Sequence, residues 1–330
     1  MNIKKFTLGN SQVQISTIVM GTSQAGKHKW IGIEDAVSIQ TLRAAFEAGI
    51  TTIDTAAHYG AGHSERIVAE ALSSVREQVE YATKVFVHHL KYNQVIEDCE
   101  RSLKRLKTDY IDLYYIHWPS GSFNSEIVPI EETMSALNHL EEQVKIRAIG
   151  VSNFSRTQLA EAASYGRIDS FQPPFSLFWR QVEKDALPYC IENNISTLAY
   201  APLAQGLLTG KFAPGHKFDP ADNRARNKLF QSKNLENAAQ ALERLRYIAA
   251  EHSCSLAQLA LTWLIAQDRV HPIVGARCPE QAKENALATE VRLSVAELAQ
   301  IDAIGRTVTD HLDDNPDIWD RGQVVLQKQE

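Results

Sequence analysis

Eight short apolar runs rich in β-branched residues, each followed by a helical or loop-and-helix segment, predict an α/β fold of the (β/α)8 TIM barrel class for this 330-residue chain. Alternating strand and helix order forces right-handed parallel crossovers, and eight of them close a barrel without leaving exposed sheet edges. No linker rich in proline, glycine or serine interrupts the alternation, so residues 1–330 read as one domain, with an irregular tail from 306 onward.

The elements follow in order. Residues 3–15 (IKKFTLGNSQVQI) read as a β-hairpin turning at Gly9 and Asn10 and closing the barrel bottom. The eight strands are expected in STIVMG, ITTID, VEYATK, YIDLYYIH, IRAIGVS, SFQPPF, STLAYAP and HPIVGA. Between them, EDAVSIQTLRAAFEAG has helical spacing and stops at Gly49, a residue suited to a left-handed C-cap. NQVIEDCERSLKRLK and PIEETMSALNHLEEQ repeat that pattern, the second with Pro129 near its start and acids in its first turn. The segment 211–234 breaks the rhythm with a long, polar, basic loop, and two helices over 236–252 and 255–267 precede the eighth strand. After Ile304 no period is evident through Pro316 and Trp319.

Composition narrows the function classes. A net charge of -6 argues against broad binding to nucleic acid or anionic membranes, so the expected partner is a small molecule. No apolar run approaches the ~18 residues of a membrane span, and none follows the basic N-terminus, so a cytoplasmic chain is expected. Cys99, Cys190, Cys254 and Cys278 form no CxxC pair and no HExxH motif occurs, so reduced, mostly buried thiols and no metal site are expected. A homo-oligomer is compatible with the sequence but not specified by it.

Asp54, Lys84 and His117 end the second, third and fourth strands, and Tyr59 follows Asp54 by five residues. The C-terminal ends of barrel strands form the active face, so these four side chains should meet. Tyrosine is a reluctant acid near pH 7, and a cation such as Lys84 would move its pKa toward the working range. A carboxylate such as Asp54 would hold that lysine charged and oriented, and His117 could direct a substrate oxygen. Taken singly, each also fits a turn, a surface charge or a satisfied backbone contact.

The segments DTAAHYGAGHSE, ATK, TDYIDLYYIHWP, IRAIGVSNF, AYAPLAQGLLTGK and PIVGARCPEQAKEN resemble the successive signatures of the aldo-keto reductase superfamily, in its bacterial-type, potassium-channel beta-subunit-like branch. The resemblance runs from about residue 3 to 305. It implies a nicotinamide-dependent barrel without metal or flavin, and its catalytic tetrad falls on Asp54, Tyr59, Lys84 and His117.

The glycine fingerprint of doubly wound dinucleotide folds is absent: Glu65 stands where Gly60-Ala61-Gly62 would need its third glycine. Gly206 to Lys211 imitates a phosphate loop but is one residue short and continues into Phe212. Loops 203–211 and 275–285, after strands seven and eight, are the expected phosphate site. The resemblance implies that Ser152, Asn153 and Gln172 hold the carboxamide, Tyr200 stacks on the nicotinamide, and Gly21, Thr22 and Asp54 line that end. It assigns Leu203, Gln205, Gly206 and Lys211 to the pyrophosphate, and Gly275, Arg277, Gln281 and Asn285 to the adenosine. Arg277 near a helix start suits a phosphate, which favours NADPH/NADP+ over NADH. Loop 211–234, with Lys211, Lys217, Arg224, Arg226 and Lys228, reads as a cofactor flap or as a solvated loop.

The expected reaction reduces an aldehyde or ketone, with Tyr59 as general acid. Trp30, Trp118, Phe123, Phe154 and Trp179 are candidate pocket walls beside Tyr59 and His117, with His88 and Trp319 as further candidates. Two other readings stand beside it. One is an NADPH-binding regulatory subunit with little turnover; the other is an aldolase using Lys84 as a Schiff base.

Overall fold

A computed structural model describes residues 3–27, 30–219, 222–313, 315 and 317–319. Eight parallel strands close a barrel: β3 (Val19–Gly21), β4 (Thr52–Asp54), β5 (Glu80–Val85), β6 (Leu113–Ile116), β7 (Ile149–Ser152), β8 (Ser170–Gln172), β9 (Ser196–Tyr200) and β10 (Val270–Gly275). All eight coincide with the runs expected from sequence, β5 and β10 each overrunning theirs by one residue, in sequential order, with β10 pairing β3 to complete the ring. Buried strand faces explain why these segments read as nearly continuous apolar runs.

The N-terminal hairpin pairs β1 (Lys5–Thr7) with β2 (Gln14–Ser16) in antiparallel register. Leu8, Val13 and Ile15 are buried with Val19, Ala82, Leu113, Tyr115, Ala148, Leu198 and Ile273, which makes the hairpin the plug of the barrel bottom. Inside the barrel, the Tyr115 hydroxyl shares a 2.7 Å hydrogen bond with Ser170. Gly150 on the neighbouring strand makes room for that ring, because a Cβ there would collide with Tyr115.

Outside the barrel run α1 (Asp35–Glu47), α2 (His63–Leu72), α3 (Tyr92–Leu106), α4 (Ile130–Glu142), α5 (Arg156–Ser164), α6 (Ala186–Glu192), α7 (Ser232–Glu251), α8 (Leu256–Ile265), α9 (Pro279–Leu287) and α10 (Val295–Thr309). Gly49 takes φ +95° just past α1, as its C-terminal position requires. Helices α5, α8 and α10 begin with reciprocal Ser-x-x-Gln or Ser-x-x-Glu caps at Ser155, Ser255 and Ser294.

Two boundaries depart from the sequence reading. Helix α7 starts at Ser232, inside the stretch read as loop. Helix α10 continues to Thr309, where an irregular tail was expected from 306. Gly305 sits inside this helix and serves packing: a Cβ there would lie 2.6 Å from Leu177 Cδ1. Pro316 and residues 320–330 of the expected tail lie outside the described residues. Among the described residues, no helix is long and apolar enough to cross a membrane. All four cysteines are free thiols, two buried and two half-buried, and no cluster of metal-ligating side chains occurs among the described residues.

Candidate active site

The strands deliver the predicted side chains to one end of the barrel. Asp54 closes β4, Lys84 is the penultimate residue of β5, and His117 follows β6. Ser152, Gln172, Tyr200, Gly275 and Gly21 end β7, β8, β9, β10 and β3 respectively.

Lys84 is fully buried, and its ammonium donates at 2.7 Å to Asp54 Oδ1 and at 2.7 Å to the Thr55 carbonyl. Gln172 Nε2 donates at 2.8 Å to the other carboxylate oxygen of Asp54. The Tyr59 ring centroid lies 5.3 Å from Lys84 Nζ and 5.8 Å from the His117 ring, the two rings meeting at 82°. The sequence therefore placed the four residues in one cluster correctly. The hydrogen bond to Asp54 joins Gln172, expected at the carboxamide, to the same cluster.

Small residues and hydroxyls hold this cluster in place. The Thr22 hydroxyl donates at 2.9 Å to the Asp54 carbonyl and lies 2.7 Å from Ser64 Oγ, which also accepts from Thr55 at 2.9 Å. Thr22 is buried, so its observed part is to fix the Asp54 backbone. Gly60 takes φ +61° after Tyr59, and a Cβ there would collide with the Gly26 carbonyl. That contact seats the Tyr59 loop on the turn that follows β3.

The electrostatics depart from the sequence reading. Burial pushes the Tyr59 phenol well above its ordinary pKa, and the charges of Asp54 and Tyr200 act in the same direction. Lys84 was expected to lower it, but the ammonium is already engaged by Asp54 and Thr55, so burial prevails. Tyr59 therefore keeps its proton, the state a proton donor needs. Burial pulls Lys84 below the ordinary lysine value, while Asp54 opposes that shift.

Beside His117, Asn153 Nδ2 donates at 3.0 Å to the His117 carbonyl and at 2.9 Å to Ser152 Oγ. Ser152 in turn donates at 2.8 Å to the Gln172 carbonyl, and the Tyr200 hydroxyl donates at 2.9 Å to Asn153 Oδ1. These groups form one amide and hydroxyl network around an aromatic face.

A second group of predicted residues gathers after β9 and β10. Gln205 and Gly206 adopt consecutive positive φ angles of 55° and 95°, and the Lys211 side chain folds back over Gly206. Burial lowers the Lys211 pKa, and the nearby cations Arg224 and Arg277 lower it further. Arg224 pairs with Asp222, its Nη2 2.6 Å from Oδ2. Arg277 is exposed, its backbone N–H donates at 2.8 Å to Gln281 Oε1, and it has no carboxylate partner among the described residues. Asn285 Nδ2 donates at 3.3 Å to the Gly275 carbonyl. Arg224 and Arg277, both within electrostatic reach of Lys211, outnumber the Asp222 carboxylate among them and suit a phosphate-bearing ligand.

Loop 211–234 contains short helical turns at Asn223–Arg226 and Lys228–Phe230. Phe212, Phe218 and Phe230 pack edge-to-face with centroids 4.8–5.2 Å apart, giving the loop its own apolar core. Asn227 Nδ2 donates at 3.0 Å to Gln205 Oε1, which ties the loop to the turn after β9. The C-terminal segment crosses it: Lys228 N donates at 3.1 Å to the Ile318 carbonyl, and Lys228 Nζ lies 2.9 Å from Asp313 Oδ1. Trp319 stacks on Tyr200 at 6.2 Å and 12°.

The candidate pocket walls divide. Trp118 and Phe123 meet edge-on at 5.0 Å, and Phe86 stacks with both Phe123 and His88, at 6.1 and 5.5 Å. Phe154 and Trp179 are instead buried in the packed core. Trp30 lies with its ring 5.5 Å from the Arg277 guanidinium, beside the loop after β10. The sequence reading missed His58 and Phe86, which stack at 3.9 Å and both approach His117. Adjacency of His58 to Tyr59, and of Phe86 to the end of β5, was the available signal.

Residues 17–306 match the family model of the Aldo/keto reductase family. This chain belongs to that family. An NADH-specific methylglyoxal reductase of Escherichia coli is 35% identical over 89% of this chain and 96% of its own length. A glycerol dehydrogenase from Gluconobacter oxydans superposes with a TM-score of 0.85 at 33% identity, covering 94% of this chain and 97% of the other. An aldo-keto reductase from Klebsiella pneumoniae in complex with NADPH gives a TM-score of 0.75 at 29% identity, covering 97% and 99%. An aldo/keto reductase is an oxidoreductase, so a carbonyl or alcohol is the class of small molecule the family brings to this barrel end.

Proposed function

We propose that this chain reduces aldehyde or ketone carbonyls to alcohols, using NADPH in preference to NADH, as one barrel unit over residues 1–330 in the cytoplasm. The observation that carries the reading is the buried Lys84–Asp54–Gln172 network, which opens onto a protonated Tyr59 beside His117. When bound, the nicotinamide supplies hydride to the carbonyl carbon. Tyr59 gives its proton to the carbonyl oxygen, and His117 orients that oxygen. Lys84 steadies the phenolate left behind, Asp54 and Gln172 hold Lys84 in position, and solvent reprotonates Tyr59.

Ser152, Asn153, Gln172 and Tyr200 are the groups we assign to the nicotinamide end, with Gly21 and Thr22 lining it. Gln205, Gly206 and Lys211 are assigned to the pyrophosphate, with Leu203 at the turn that carries them. Gly275, Arg277, Gln281 and Asn285 are assigned to the adenosine 2'-phosphate, ribose and base. The cation cluster supports NADPH, and the NADH-specific relative makes a parallel NADH arm necessary. An aldolase would need a reachable neutral amine, and enclosure of Lys84 by two hydrogen bonds favours the reductase.

The test is oxidation of NADPH and NADH across aldehydes, ketones, sugar aldehydes and dicarbonyls, with methylglyoxal included because of the relative's activity. Tyr59→Phe should bind NADPH and lose most turnover; near-unaltered turnover overturns the assignment. Tight NADPH binding without turnover on the whole panel would favour the regulatory reading. Arg277→Ala should weaken NADPH binding about tenfold more than NADH binding, as loss of a charge-assisted contact predicts.

A further inference from the structure

Glu65, the residue that stands in place of a third glycine after Tyr59, is a fully buried carboxylate that the proposed chemistry does not use. Both of its oxygens are engaged. One accepts from the Thr83 hydroxyl at 2.7 Å, and the other pairs with Nε of Arg105 in the last turn of α3. Thr83 precedes Lys84 on β5, so the two side chains point to opposite faces of the strand: Lys84 toward Asp54 inside the barrel, Thr83 out toward α2. Arg105 reaches Glu65 across the turn that follows Tyr59. In that turn Gly60, Ala61 and Gly62 take positive φ angles of 61°, 50° and 81°. Ala61 does so despite its side chain, and such a residue persists only where its surroundings over-determine it. A Cβ on Gly60 would collide with the Gly26 carbonyl, and a Cβ on Gly62 with the Arg105 side chain, so the turn is gripped from both ends. Ser64, which precedes Glu65, donates its backbone N–H at 3.2 Å to the Tyr59 carbonyl.

We infer that Glu65 is a positioning residue for the reaction, its carboxylate joining the strand that carries Lys84 to the turn that carries Tyr59 and so setting the separation of proton donor and ammonium. The inference rests on the reading of Tyr59 as general acid and of Lys84 as the cation that steadies its phenolate. That stabilisation falls with distance, so a donor and a cation anchored on separate elements need a link between those elements. Asp54 and the Thr55 carbonyl hold the ammonium itself, and Glu65 holds the strand behind it through Thr83. Its charge acts in the same sense: burial pulls Lys84 below the ordinary lysine value, and Glu65 stands with Asp54 against that shift.

The test uses Thr83→Val, which keeps the side-chain shape without the hydroxyl, Thr83→Ser, which restores the hydroxyl, and Glu65→Gln, which keeps the length without the charge. Three quantities are measured on each folded protein: affinity for the preferred nicotinamide cofactor, the single-turnover rate at which the bound cofactor is oxidised by the fastest carbonyl of the panel, and amide exchange at residues 60–65 without cofactor. In Thr83→Val and Glu65→Gln the hydride step should slow about tenfold, short of the roughly hundredfold that a 1 Å misplacement costs, with cofactor affinity within about twofold. Exchange at residues 60–65 should quicken about threefold or more. Thr83→Ser should recover at least half of the rate loss. An unaltered hydride rate in either variant, unaltered exchange at the turn, a loss that Thr83→Ser does not recover, or one that tracks cofactor affinity would overturn the role of Glu65. If Glu65→Gln does not fold, the Thr83 variants decide alone. Should the unaltered chain turn over no carbonyl with either cofactor, the reductase reading would fail and take this inference with it. Turnover indifferent to the substitutions would leave the reductase reading standing and refute this inference alone.

Discussion

Substituting Lys84 by methionine keeps most of the side-chain volume but removes the ammonium that donates to Asp54 Oδ1 and to the Thr55 carbonyl. Asp54 is then left almost fully buried with Gln172 as its remaining side-chain donor. Removing one partner of a buried, hydrogen-bonded pair costs about 3–5 kcal/mol, chiefly because the other charge is stranded. Asp54→Asn should cost a similar amount by stranding Lys84. The double variant leaves no buried charge in the pair, and the introduced amide oxygen can still accept from Gln172, so it should cost at least about 2 kcal/mol less than the sum of the single changes. Denaturant unfolding of the four proteins at pH 7 measures the cycle, provided the transitions are reversible and single. Turnover should stay low in all three variants, because Lys84→Met removes the ammonium that steadies the Tyr59 phenolate and Asp54→Asn removes the carboxylate that holds that ammonium charged and in position. Costs that simply add, or a Lys84→Met cost below about 1 kcal/mol, would refute the coupling.

Three further outcomes follow from the same structure. Because burial holds the Tyr59 phenol well above its ordinary pKa, carbonyl reduction should stay level through neutral and mildly alkaline pH, while alcohol oxidation, which needs the phenolate, should rise with pH; a chemistry-limited reduction rate that halves between about pH 7 and 8 would contradict this. Lys228→Met removes the ion pair with Asp313, and since Asp313 is largely exposed, the loss of about 1 kcal/mol should speed amide exchange at residues 227–230 roughly fivefold without cofactor; exchange at the unaltered rate would show that the C-terminal segment does not restrain this loop. Burial lowers the His271 pKa from 6.5 to about 4, so the unfolded chain takes up a proton below pH 6.5 that the folded chain refuses until about 4. Stability should thus be lost as pH falls through that window, by about 2 kcal/mol between pH 7 and 5, and His271→Gln should lose correspondingly less; equal losses in both proteins would argue against a buried neutral imidazole.

Much of the fold was legible because parallel strands buried on both faces leave a plain trace: every run from STIVMG to HPIVGA became a barrel strand. Asp54, Lys84 and His117 were legible for a related reason, since a polar residue at the end of such a run has one end of the barrel to occupy. What failed depended on burial or on partners distant in sequence. The direction of the Tyr59 shift follows from enclosure, which a list of neighbouring charges does not contain. The hydrogen bond from Gln172 to Asp54, 118 residues earlier, was not legible, since only closure of the barrel brings the two together.

The substrate pocket was the least legible part, and its construction explains why. Strands set the tetrad, and a strand fixes its side chains by a two-residue alternation that sequence displays. The rings around His117 come from loops after β4, β5 and β6, whose paths depend on single backbone choices. Phe123 illustrates this: it adopts φ +55°, unusual for a residue with a side chain, and that turn helps bring its ring against Trp118 and beside Phe86. No periodicity in the sequence reports such a choice. His58 differs from the other rings because it is bound to its neighbour in the chain, Tyr59, so any loop path that delivers the acid also delivers an imidazole nearby.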